Sequence, residues 1–219
     1  MTLSAYLSQF YLMLKNVVVR DRDGARVFDL GKDIPKPAAV EYLNLGWKYA
    51  AEDVGGLYGS YDDTLVESQS EYIVPDEVIK VKLVRLLDGS TLMAEMIPTE
   101  YTDVVGKDDT DEITDAVPDA CSVVLAKFQD SNEAQRCLKL NCPPNWGGEH
   151  YIEVYCTRVP QFITAETQTP DLPHTLGQAG LFRACLLATG DMRFQKLYED
   201  ARNVYLRTGV NLQPLTPKE

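Results

Sequence analysis

The sequence predicts an α+β fold: a helical bundle formed by N- and C-terminal helices, with an inserted antiparallel β-sandwich/barrel domain. Three observations lead there. Apolar residues recur every three or four positions near both ends of the chain. In the middle they fall into short runs, partly alternating, divided by turn signals. Helical ends that share one core make an insertion between them feasible, because the termini of a domain often lie close together. The expected limits are 1–65 and 164–209 for the bundle, 66–163 for the β domain and 210–219 for an extended tail.

Leu3, Leu7, Phe10, Leu14 and Val17 form one stripe of an amphipathic first helix of about four turns. The stretch Asp21–Asp33 breaks the pattern with Gly24, Gly31 and several Asp, and reads as a turn or short hairpin. Asp33, Pro35 and Pro37 precede a second helix, since proline is tolerated in the first turn. Val40, Leu43, Trp47, Ala50 and Val54 make its stripe, and Gly55-Gly56 ends it.

The runs EYIVP, EVIKVKLVRLL, STLMAEM, CSVVLAKF, QRCLKLNC and HYIEVYCTRV then read as strands. Asp88-Gly89 is a hairpin signal. Ile152, Val154 and Cys156 alternate with Tyr151, Glu153 and Tyr155, which marks two faces. Pro98-Thr99-Glu100 is a candidate start of a short helix, and the acidic 103–119 stretch reads as a loop. After a polar link comes a helix from about Thr175 to Thr189, rich in small residues: Gly177, Ala179, Gly180, Ala184, Cys185 and Ala188. It packs either inside the bundle or against a neighbouring subunit. Gly190-Asp191 is a stop followed by an N-cap. The last helix carries Phe194, Leu197, Tyr198, Ala201, Val204 and Tyr205 on one stripe and ends at Gly209. The tail has Pro214 and Pro217 and no periodicity, so it is expected to be extended.

With 45% hydrophobic and 25% charged residues, disorder along the whole chain is excluded. The net charge is −12. Residues 52–77 sum to −8 and residues 103–119 to −6, so the remainder is near +2. Two solvated stretches are one reading. A surface that repels something anionic is the other. Neither suits gripping nucleic acid or anionic membrane by charge. The N-terminus lacks the early positive charge of a signal peptide, and no apolar run spans a bilayer. Cys121, Cys137, Cys142, Cys156 and Cys185 are odd in number, without a CxxC, and read as buried reduced thiols, which suits cytosolic synthesis.

Chemistry-bearing motifs are sparse. His150 and His174 lack a partner at ligand spacing, so no metal is expected. Asp21-Arg22-Asp23-Gly24 resembles the opening of a calcium loop, but Arg26 and Lys32 stand where Gly and Glu are needed. No phosphate-binding loop or nucleophile elbow occurs, so no catalytic residue and no cofactor is expected. Trp146, in the turn Cys142–Gly148, is a loop anchor or a contact residue.

The order of elements resembles the head-to-tail connector (adaptor) proteins of tailed bacteriophages, which sit beneath the portal. The stretches that carry it are AVEYLNLGWKYAAEDVGGLY, EYIVPDEVIKVKLVRLLDG, CLKLNCPPNWGGEHYIEVYCTRVPQFI and PDLPHTLGQAGLFRACLLATGDMRFQKLYEDARNVY. In that family a strand ending in two prolines precedes a strand with alternating apolar residues. A Leu-Pro, a helix of small residues, a Gly-Asp break and a helix ending in Tyr follow. The acidic 103–119 stretch belongs to none of these patterns.

The resemblance implies a non-catalytic virion protein, made in the host cytoplasm and located in the neck. It implies a homo-oligomeric ring, usually of 12 copies, through which genomic DNA passes without specific binding. The bundle would dock under the portal protein, and the β domain would receive a tail nozzle, tail tube or fibre protein. Val210, Leu212, Pro214, Leu215 and Pro217 become the portal-contact candidates, in a tail expected to order on the portal. Asp108, Asp109, Asp111 and Glu112 become channel or subunit-contact candidates. A non-catalytic binding module whose β domain recognises a glycan or peptide is the alternative. A small metal-dependent hydrolase using the acidic residues is a third reading.

Overall fold

The computed structural model describes residues 1–15, 18–20, 26–29, 33–100, 117–127, 134–144 and 150–209. It is α+β, as the sequence predicts. The chain divides into two compact units, Met1–Leu57 with the chain from Val159 onward, and Tyr58–Arg158.

The first unit is helical. It contains α1 (Leu3–Leu14), a short antiparallel pair β1 (Val18–Arg20) and β2 (Arg26–Asp29), α2 (Lys36–Asp53), α3 (His174–Thr189) and α4 (Met192–Gly209). Leu3, Leu7, Phe10 and Leu14 are buried as expected, and Tyr6 joins them. Val17, Gly24 and Gly31 lie outside the described residues. The Thr2 side chain accepts a hydrogen bond from the Ala5 N–H at the start of α1. The polar link also feeds this end: the N–H groups of Leu3 and Ser4 donate to the carbonyls of Gln168 and Glu166. A helix start leaves such donors free, and here backbone distant in sequence accepts them.

Pro35 caps α2 and Pro37 sits in its first turn. Gly55 and Gly56 follow with φ of 87° and 90°, conformations that only glycine adopts without strain. Leu43, Trp47 and Ala50 are buried, while Val40 and Val54 are half-buried. One core joins α1, α2, Ile163, α3 and Phe194 of α4. A second cluster joins Ala50, Ala51, Leu57, Leu176, Ala179 and Tyr198. Both chain ends therefore build one hydrophobic interior.

The small residues of α3 pack inside this unit against α2. A Cβ placed on Gly46 would lie 2.3 Å from the Gly180 carbonyl oxygen. One placed on Gly180 would lie 2.3 Å from Trp47 Cδ1, and one on Gly177 would meet the Tyr6 hydroxyl at 2.1 Å. Trp47 Nε1 donates to the Gly177 carbonyl at 3.3 Å, and the Tyr6 ring meets Trp47 edge-on at 5.1 Å. The glycines thus set the distance between the two helices. Asn44, 4% exposed, clamps the link: Nδ2 donates to the Ile163 carbonyl at 2.9 Å and Oδ1 accepts from the Ile163 N–H at 3.0 Å.

Gly190 ends α3 in the left-handed region at φ 68°, and its N–H donates to the Leu186 carbonyl. Asp191 then caps α4, with Oδ1 accepting from the Arg193 N–H at 2.9 Å. Only part of the α4 stripe is covered. Phe194 and Tyr198 are buried, but Leu197 and Val204 are about half exposed.

The second unit holds β3 (Leu57–Thr64), β4 (Glu71–Ile73), β5 (Val78–Asp88), β6 (Thr91–Met96), β7 (Cys121–Lys127), β8 (Ala134–Leu140) and β9 (His150–Arg158). Leu57 opens β3 but packs with the helical unit. The strands form a four-stranded sheet, β3-β9-β5-β6, and a three-stranded sheet, β4-β8-β7. The pairs β4–β8, β7–β8, β5–β6 and β5–β9 are antiparallel. The two sheets share one core of Tyr72, Val81, Val84, Leu86, Met96, Leu138, Leu140, Ile152 and Val154, among others. It is a sandwich and not a closed barrel.

Two differences from the sequence reading stand out. β3 lies in a stretch assigned to the bundle. Its Gly59, Asp62 and Asp63 are poor strand formers, and pairing with β9 overrides them. Pro98-Thr99-Glu100 is not helical, because the Thr99 N–H donates to the Cys121 carbonyl and ties this backbone to β7.

Candidate interaction surfaces

The portal-contact candidates Val210, Leu212, Pro214, Leu215 and Pro217 lie outside the described residues, as do Asp108, Asp109, Asp111 and Glu112. Trp146 and the turn Asp21–Gly24 do too. Of the other residues weighed, His150 opens β9, half-buried, with Nε2 3.5 Å from Asp88 Oδ1. His174 is exposed at the first position of α3. All five cysteines are buried thiols. Burial pushes the thiols of Cys121 and Cys185 up to about 12, because the thiolate would lose its solvation. Among the described residues no group of three His, Cys, Asp or Glu is placed to hold a metal ion. Among them also, no helix is long and apolar enough to cross a membrane.

The charge divides along the two units. Residues 58–158 carry 20 Asp/Glu against 8 Lys/Arg, which is −12; the rest of the chain carries 13 of each. The whole net charge therefore belongs to the β unit.

In the helical unit a polar joint fixes α4. The Tyr198 hydroxyl donates to Asp53 Oδ2, and Arg202 Nη1 stands 4.0 Å from the same oxygen. The guanidinium of Arg183 lies 5.3 Å from the centre of the Tyr198 ring and 5.8 Å from that of Tyr49. Arg202 lies 5.8 Å from the Tyr198 ring centre, and Arg183 Nη1 donates to Gln195 Oε1 at 3.3 Å. Burial first, then the Asp53 carboxylate, pushes the Tyr198 hydroxyl above the ordinary tyrosine value, so it stays a donor. One tyrosine thus serves as apolar core, hydrogen-bond donor and cation platform at once.

In the β unit the solvent face of the four-stranded sheet is built by register. Leu87 pairs Tyr151 on β9 and Leu92 on β6; Arg85 pairs Glu153 and Glu95; Leu83 pairs Tyr155. The face therefore reads as an apolar row, a charged row and a second apolar row. Arg85 Nε donates to Glu95 Oε2 at 2.8 Å and Nη1 to the Tyr155 hydroxyl at 3.3 Å. That hydroxyl donates to Glu153 Oε1 at 2.9 Å. The Arg85 guanidinium also lies 5.1 Å from the Tyr155 ring centre. The hydrogen bond to Glu95 is the main reason that Arg85 is held even more firmly charged than usual. Tyrosine and arginine are among the residues enriched at protein interface cores. Tyr155 and Tyr151 were visible in the sequence as one face of a strand. The row structure was not, because it depends on which strands are neighbours. No protein-family model and no curated protein sequence matches the chain.

Proposed function

We propose that the protein is a non-catalytic structural component of a phage virion: an adaptor ring in the neck that joins the portal to the tail and continues the DNA channel. The observation that supports this reading is the order of elements. Pro143-Pro144 follows β8, and β9 is the alternating strand. Leu172-Pro173 stands immediately before α3, Gly190-Asp191 separates α3 from α4, and Tyr205 lies in the last turns of α4. The helical ends build one interior, and the β unit is inserted between them in the sequence. A channel that conducts DNA needs walls that do not hold it, and a β unit of charge −12 supports that use. In this reading the portal is bound by the bundle and by residues 210–219. A nozzle, tail tube or fibre protein is bound by the β unit.

The test is native mass measurement of the full chain, alone and with the portal protein of its phage. The expected result is a monomer alone and a ring of about 12 copies on the portal. A chain that stays monomeric with portal present refutes the proposal. A truncation after Gly209 is expected to lose portal binding with an unchanged melting temperature. The tyrosine-bearing outer sheet face favours a second reading, a binding module for a glycan or peptide, for which glycan binding by a persistent monomer would be the result.

A further inference from the structure

Among the described residues β6 is the last strand of its sheet, and no described strand pairs with its outer edge. Natural edge strands are usually blunted by Lys, by Pro or by inward-facing charge. β6 is not. Leu92 and Met93 are 50% and 40% exposed, and Ile97 just beyond the strand is 70% exposed. Its register with β5 shifts at Leu86/Leu87, where Met93 is the extra residue, so Leu92 and Glu95 come to the same face.

The rows across the sheet end abruptly at this edge. The charged row runs Glu153, Arg85, Glu95, alternating in sign, and its last member keeps 44% of its side chain exposed. A further strand lying along β6 would set one residue opposite Glu95. The alternation calls for a cation there, since opposite charges across strands stabilise and like charges destabilise. The positions on either side of it would face Leu92 and Ile97. We propose that β6 is a strand-addition site for an extended segment of another protein that carries Lys or Arg, with apolar residues two positions before and after it. A second copy of this chain fits badly. Antiparallel pairing of β6 with itself, centred on Glu95, sets two carboxylates opposite each other, and a shift by one pair sets Glu95 against Ile97. The proposal concerns the β unit alone and stands whether or not the chain forms a ring.

The test uses the isotope-labelled full chain without portal, followed by nuclear magnetic resonance. The probes are a capped heptapeptide of alternating threonine and leucine with lysine at its centre, and the same peptide with glutamate there. The lysine peptide is expected to shift and protect the amides of Thr91–Ile97 and to bind about fivefold more tightly than the glutamate peptide. Glu95→Lys is expected to reverse that preference and Glu95→Gln to abolish it, each variant being checked by its melting curve. Equal affinities for the two peptides, protection away from β6, no binding at millimolar peptide, or dimerisation of the chain through β6 would each overturn the proposal.

Discussion

Replacing Gly46 by alanine tests the packing argument most directly, because two effects of opposite sign compete at one atom. Gly46 lies inside α2, and alanine is favoured over glycine in a helix interior by about 1 kcal/mol. Helix propensity alone therefore predicts stabilisation. The added Cβ, however, would stand 2.3 Å from the Gly180 carbonyl oxygen, 2.8 Å from the Ala184 nitrogen and 2.9 Å from the Ala184 Cβ. The nearest two neighbours are backbone, so no rotamer change removes them; α2 and α3 must move apart. Overpacking of this kind costs typically 1–3 kcal/mol, and a backbone clash this short belongs at about 3. The net expectation is a loss of about 2 kcal/mol. At roughly 3–5 °C per kcal/mol for a unit of this size, the melting temperature of Gly46→Ala should fall by about 6–10 °C. Circular dichroism at 222 nm against temperature measures it. An unchanged or raised melting temperature would show slack between α2 and α3 and refute the reasoning.

Asn44→Ala leaves the buried N–H and carbonyl of Ile163 without their side-chain partner, and should cost about 2–4 kcal/mol in urea unfolding. Asp191→Ala removes the cap of α4 and should cost about 1 kcal/mol at pH 7. The side chain and backbone N–H of Arg193 hold the Asp191 carboxyl below its ordinary value. Its contribution is therefore complete above about pH 4 and is lost as pH falls through that lower folded value. The difference between Asp191→Ala and the parent should accordingly shrink by pH 3; an equal difference at both pH values would contradict the cap. The five buried thiols should be inert to Ellman's reagent in native protein at pH 8 and all five should react in guanidinium. Rapid native reaction of any one would show that its site opens.

The polar joint around Tyr198 and the charged row on the outer sheet solve a similar problem differently. Both place an arginine against tyrosine and carboxylate. The first is partly covered by three helices and holds α4 in place. The second faces solvent, where such pairs contribute little to stability, so its alternating signs add little to the fold.

Local pattern determined much by itself. Leu3, Leu7, Phe10 and Leu14 in α1, or Ile152, Val154 and Cys156 in β9, are legible because a helix or strand repeats its side chains at a fixed period. Gly55-Gly56, Gly190-Asp191 and Asp88-Gly89 are legible because turns and caps need particular backbone angles. β3 was not legible, since Gly59, Asp62 and Asp63 oppose it and only its neighbour β9 makes it a strand. Tertiary structure alone decided that the glycines of α3 serve α2, that Asn44 reaches Ile163 across 119 positions, and that Glu153, Arg85 and Glu95 stand in one row. The reason is the same in each case. Period and turn chemistry act between residues near in sequence, whereas close approach and strand register join residues that only the folded chain brings together.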